Sequence, residues 1–225
     1  MGYTVCMANH PILRKHREEI ANAVTHGAGA LLAAGAGTVL IAQTAMHAGA
    51  REIVSVSVFV GTLVLLYLAS TLYHAARHPR TKARLKVLDH CAIFLLIAGT
   101  YTLFTIAALR GAWGWSLFAV VWSLAIIGIV FKLFFTGRFK LLSTGIYIAM
   151  GWLVIVAIVP MVKTLSVPVL LWLLVGGLLY TSGTLFYHRQ ALPYAHATWH
   201  GFVLGGSTCH FVAVTLQVLA PYKPG

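Results

Sequence analysis

The chain has 225 residues, 60% of them hydrophobic and only 9% charged, with a mean hydropathy of +0.87 and a pI near 10.0. A soluble domain carries about 25% charged residues to face water, and 16 Lys+Arg with 4 Asp+Glu cannot cover a globule of this size. Disorder, a collagen repeat, a disulfide scaffold and an ordinary cytosolic enzyme are excluded, which leaves a polytopic membrane protein. Charge-free stretches run 20–50, 53–76, 90–109, 111–131, 141–162, 164–188 and 190–222, each at least 20 residues long. About 20 apolar residues make a helix that crosses the hydrocarbon core. No ten-residue alternation suggests a barrel, so helices alone can satisfy the backbone in lipid. The expected fold is all-α: a seven-transmembrane helix bundle over 20–219, between an N-terminal segment 1–19 and a tail 220–225.

The first helix, near 20–45, is too long for a signal-peptide core and reads as a retained signal anchor. At its start Glu19, Asn22 and His26 share a face at i, i+3 and i+7, either supporting a site or forming a simple helix-start cluster. The second helix, near 53–76, ends in STLYH with Ser70 and His74 on one face at i, i+4. The third, near 87–109, opens with VLDHCAIFLLIAGTYT and holds the only aspartate, Asp89; His90, about 100° further round, reads as packing. The fourth and fifth fall near 113–135 and 140–161, and the sixth near 168–188, starting at Pro168. His188 at its end is an interfacial histidine or a substitute ligand. The seventh, near 194–219, follows Pro193 and carries His196 and His200 in HATWH. Gly201 and Gly205 form GxxxG, a close-contact motif, and His210 lies deeper, as an interhelical hydrogen bonder. Cys6, Cys91 and Cys209 show no CxxC spacing and read as free thiols.

Basic residues are unevenly shared between the two sides. With the N-terminus inside, twelve are cytoplasmic: Arg14, Lys15, Arg17, Arg77, Arg80, Lys82, Arg84, Lys86, Lys132, Arg138, Lys140 and Arg189. Four are outside: Arg51, Arg110, Lys163 and Lys223. The positive-inside rule therefore predicts a cytoplasmic N-terminus and an external C-terminus. The basic loops then face anionic lipid headgroups rather than nucleic acid. With this orientation His74, Asp89 and His196 each lie three residues from a cytoplasmic boundary marker (Arg77, Lys86 and Pro193), and His200 is one turn deeper.

Three helices thus bring ionisable residues to one depth and leaflet, where burying them is costly. Three histidines with an acid nearby are the parts of a zinc site with an open fourth position. HxxxH lacks the glutamate of HExxH, and spacing and depth leave open a second reading, packed and hydrogen-bonded histidines beneath the headgroups.

The blocks STLYH, LDHCAIFLLIAGTYT, FKLLSTGIYIAMGW and HATWHGFVLGGSTCHF, within a span from EEIANAVTHGAGALL (18–32) to 200–211, resemble the bacterial hemolysin III family of the progestin and adipoQ receptor superfamily. The resemblance implies a seven-helix fold with the N-terminus inside and Zn2+ held by His74, His196 and His200. The wider superfamily, which includes alkaline ceramidases, shares the Ser, Asp and three-His set.

Three functions follow as expectations. In a zinc-dependent hydrolase of lipid amides or esters, Asp89 would accept a proton from water and Ser70 would hydrogen-bond the water or the oxyanion. In a sensor or regulator of membrane lipid state, zinc would staple helices two and seven. The family name implies a cytolytic hemolysin, although the spans lack the polar stripe of a water-filled pore.

Overall fold

The computed structural model describes residues 11–189 and 191–219. Cys6, Lys223, the first ten residues of the N-terminal segment and the whole of the tail 220–225 lie outside the described residues. Seven helices long and apolar enough to cross a membrane run through the described chain: α1 (Leu13–His47), α2 (Ala50–Ala75), α3 (Pro79–Leu109), α4 (Gly111–Phe135), α5 (Lys140–Thr164), α6 (Val167–His188) and α7 (Ala195–Leu219). No strand occurs among the described residues.

Two helices begin earlier than the charge-free stretches indicate. The helical backbone of α1 already starts at Pro11 and that of α3 at Pro79, against expected starts at 20 and 87. A charge-free run marks where hydrocarbon begins, whereas a helix continues through charged turns that reach back to polar neighbours. Pro79 occupies the first turn of α3, where a missing N–H costs nothing.

α1 packs between α2 and α7, α2 packs on α3, α3 on α4, and α6 on α7. Their shared core includes Val56, Phe59, Phe94, Leu103, Val121 and Val214, all fully buried. Leu31, Phe134 and Leu141 point outward, each more than 70% exposed, as expected where lipid rather than water covers the surface. The closest approach on α7 is made by Gly206, where a Cβ would meet the Tyr180 ring at 2.8 Å. Of the expected GxxxG pair, Gly205 packs tightly, an added Cβ meeting Leu179 Cδ1 of α6 at 3.3 Å, whereas one on Gly201 would meet nothing within 4 Å.

α5 is broken. It runs as α-helix over Lys140–Gly151, tightens to 3-10 geometry over Trp152–Ala157 and resumes at Ile158–Thr164. Irregular backbone at membrane depth needs partners from neighbouring helices. Tyr101 of α3 supplies two: its hydroxyl donates to Gly151 O at 2.8 Å and accepts from Val154 N at 2.8 Å. Trp152 Nε1 donates across to Thr181 Oγ1 of α6 at 3.0 Å. Between α5 and its neighbours lies a cavity of about 640 Å³, lined by α1, α2, α3, α5, α6 and α7 together with Lys132 of α4. That volume suits a ligand of drug or lipid-fragment size.

Candidate metal centre

His74 is the second-last residue of α2, and α2 stops because the backbone turns extended at Ala76. α7 begins after the connection 189–194, whose Tyr194 has φ 55° and donates its N–H to Glu18 Oε1 of α1 at 3.1 Å. Arg14 lies 3.8 Å from the same carboxylate oxygen. Tethered in this way, the first two turns of α7 place His196 and His200 against α1 and opposite His74.

One ring nitrogen from each of His74, His196 and His200 lies within 4.8 Å of the others. The ring centroids are 4.9 Å (His74–His196), 5.1 Å (His74–His200) and 4.6 Å (His196–His200) apart. His74 and His200 are buried and His196 is partly buried. Asp89 is not one of the groups that close within this distance. Its side chain, 15% exposed, lies 3.9 Å from His90 Nδ1 and lines the same cavity as the three histidines. Ser70, one turn before His74, lines that cavity too, and its hydroxyl is buried with no hydrogen-bond partner among the described residues.

α1 supplies the support. Nδ1 of His74 donates to Glu19 Oε2 at 3.0 Å, with Asn22 Nδ2 at 3.4 Å, and Lys82 Nζ donates to the same Glu19 oxygen at 2.8 Å. Nδ1 of His200 donates to the carbonyl of Asn22 at 3.2 Å, with Thr25 Oγ1 at 3.2 Å. Of the two readings open for Glu19, Asn22 and His26, the geometry matches the supporting one. His26 stacks flat on His200, centroids 3.5 Å apart and 8° from parallel.

These bonds decide which nitrogens are free. With Nδ1 engaged, His74 keeps Nε2, a buried atom with no partner among the described residues. An orphaned buried nitrogen is costly unless something binds it. Metal-ligating histidines usually donate their other ring N–H to a carboxylate or carbonyl, and these two do. The donor set therefore fits a divalent metal that accepts imidazole, zinc above all.

The remaining histidines are placed elsewhere. His188 Nε2 bonds Thr144 Oγ1 of α5 at 3.0 Å, and His210 Nε2 donates to Leu173 O of α6 at 3.3 Å. His90, read as packing from the sequence, lines the cavity, with its Nδ1 on Lys86 O at 2.6 Å. Lys132, counted from the sequence only as one of the twelve cytoplasmic charges, is buried and lines the cavity. Its place in IVFKLFF, a lysine enclosed by apolar residues, was the available signal.

A seven-helix bundle with three convergent histidines under one end defines a multi-pass membrane protein with a metal-competent pocket. The chain belongs to the family described as Haemolysin-III related, which matches residues 14–211. It is 50% identical to the Hemolysin-3 homolog of Bacillus subtilis (strain 168) over 198 residues, 88% of this chain and 93% of that protein. It is 49% identical to Hemolysin-3 of Bacillus cereus over 203 residues, 90% of this chain and 93% of that protein. A more distant likeness, 26% over 164 residues, covers 68% of this chain and 65% of the human Monocyte to macrophage differentiation factor. No solved structure matches.

Proposed function

We propose that the chain is a zinc-dependent hydrolase of lipid amides or esters, acting at the cytoplasmic leaflet. The observation that carries this reading is the free Nε2 of His74 in a three-histidine group, two of whose members already have Nδ1 engaged by α1, facing a cavity large enough for part of a lipid. Three protein ligands, rather than four, are what a catalytic zinc site uses.

When bound, zinc supplies Lewis acidity at that open position. The chain's own residues do the rest. Water adds to the acyl carbonyl while the Asp89 carboxylate takes its proton. The Ser70 hydroxyl, buried and without a partner among the described residues, donates to the oxygen that gains charge. Asp89 then passes the proton to the leaving amine or alcohol as the C–N or C–O bond breaks, releasing a fatty acid. Glu19 and the Asn22 carbonyl fix the orientations of His74 and His200.

The test is fatty-acid release from vesicles of mixed N-acyl and O-acyl lipids by the purified chain. Wild type is expected to release acid in proportion to its zinc content and His200→Ala to release none. Equal release by both, or none from zinc-loaded wild type, overturns the reading.

A further inference from the structure

Lys132 is 2% exposed, in the last turn of a membrane-spanning helix. Its Nζ donates to Ser143 Oγ at 2.6 Å and lies 5.7 Å above the ring of Tyr147. Ser143 cannot balance the charge: its own proton goes to Phe139 O at 3.1 Å.

The chain has only four acidic side chains, and none pairs with Lys132. Glu18 holds the start of α7, Glu19 serves His74 and Lys82, Glu52 pairs with Arg110 at 3.2 Å, and Asp89 lines the cavity beside His90, away from Lys132. None lies within 4.0 Å of Lys132 Nζ. An ammonium has three donors, so Lys132 has donors left beyond the one given to Ser143 and no counter-charge of its own. An ionisable group placed this way in a membrane protein marks a ligand site.

More positive charge surrounds it. Lys86, Arg138 and Lys140 line the same cavity at the end where α4 turns into α5. The turn depends on Gly137 at φ 84°, where an added Cβ would come 3.5 Å from Lys86 Nζ. Further in, Ile93, Ile97, Ile148 and Val203 line the cavity. A cationic mouth above an apolar interior fits a molecule with an anionic head and a hydrocarbon tail.

We propose that the cavity binds an anionic lipid, its head on Lys132 with Lys86, Arg138 and Lys140, its acyl chain among the deeper apolar residues. This names the substrate class for the histidine site, and rests on the hydrolase reading for the word substrate alone. The binding site stands on Lys132.

The test is a tryptophan-fluorescence titration of the purified full chain in a neutral detergent, since Trp152 and Trp199 line the cavity. The probes are palmitoyl lysophosphatidate, sodium palmitate, palmitoyl lysophosphatidylcholine and inorganic phosphate. The two anionic lipids are expected to bind tighter than the zwitterionic one, and the tighter of the two identifies the head. Inorganic phosphate competing as well as the lipids would overturn the lipid source. Lys132→Met is expected to weaken the anionic lipids about tenfold or more, the scale of one charge-assisted hydrogen bond, and to leave lysophosphatidylcholine unchanged. Because removing a buried charge can itself alter folding, Arg138→Gln/Lys140→Gln, exposed at the mouth, provides a second reading, expected to weaken the same two lipids. Unchanged affinity in Lys132→Met, or in the double variant if Lys132→Met does not fold, overturns the proposal. His200→Ala is expected to keep lipid affinity while losing hydrolysis; zinc-loaded wild type that binds the anionic lipids but hydrolyses none of them strikes the hydrolase reading only.

Discussion

Glu19 and His74, 55 positions apart in the chain, meet at 3.0 Å, the carboxylate oxygen accepting from Nδ1. The bond commits Nε2 of His74 to the cavity side and fixes the ring plane. Glu19→Gln keeps an acceptor of nearly the same shape but removes the charge. Loss of such a support typically costs 10–100-fold in metal affinity, so Glu19→Gln is expected to weaken zinc by about that factor. Competition with a chelator of known affinity measures it, and unchanged affinity would show that Glu19 serves only Lys82.

The histidines themselves should separate cleanly. His200 lies in the three-histidine group, while His210 is bonded to a carbonyl of α6. His200→Ala is expected to abolish stoichiometric zinc in the purified protein, and His210→Ala to retain it. Metal analysis of the two variants beside wild type decides the matter, and equal zinc in wild type and His200→Ala would sink the assignment.

The helices were legible because lipid leaves the backbone one solution and charges punctuate it, so composition located all seven. His74, His196 and His200 were legible as a group because helix direction places them at one depth. What depth could not supply was rotation about each helix axis. Whether Glu19, Asn22 and His26 faced the site, and whether His90 packed or lined a cavity, depended on that rotation. Lys132, at the inner end of the fourth helix, counts in the sequence among the cytoplasmic charges because a cation near a helix end ordinarily reaches outward to water; here Ser143 and Tyr147 of α5 turn it inward. The break in α5 had a local signal in Pro160, which has no N–H for Val156 O and crowds that carbonyl; what no local pattern announces is that Tyr101 of another helix partners the loosened backbone.

Orientation rests on the twelve-to-four division of basic residues. A reporter enzyme fused after Gly225 is expected to be active only outside the cytoplasm. Activity inside would put the histidine site at the opposite leaflet, along with the cationic mouth.

Packing between α3 and α4 turns on Gly128. A Cβ there would lie 2.3 Å from the ring of Phe94, which is fully buried and 4.5 Å, centroid to centroid, from Tyr147. The buried ring must shift to admit the methyl, and overpacking of this kind costs about 1–3 kcal/mol. Gly128→Ala is expected to lower the thermal midpoint in detergent, and adding Phe94→Leu to recover part of the loss. An unchanged midpoint for Gly128→Ala would mean that the helices separate freely at this contact.

Asp89 separates a catalytic zinc from a structural one. Its carboxylate lines the cavity but stands outside the group of ligand atoms that close within 4.8 Å. It is also the only acidic residue lining that cavity that neither tethers α7 nor supports His74. A group placed there can receive a proton from water without holding the metal. Asp89→Asn preserves volume and hydrogen bonding while removing the basic site, so fold and zinc content are expected to persist. Lipid hydrolysis is expected to fall about 10²–10⁴-fold, the usual contribution of a general base. Zinc analysis and product mass spectrometry on one preparation test both halves. Loss of zinc would make Asp89 a fourth ligand and the site structural. Retention of zinc with undiminished hydrolysis would remove Asp89 from the chemistry and leave the proton to another group.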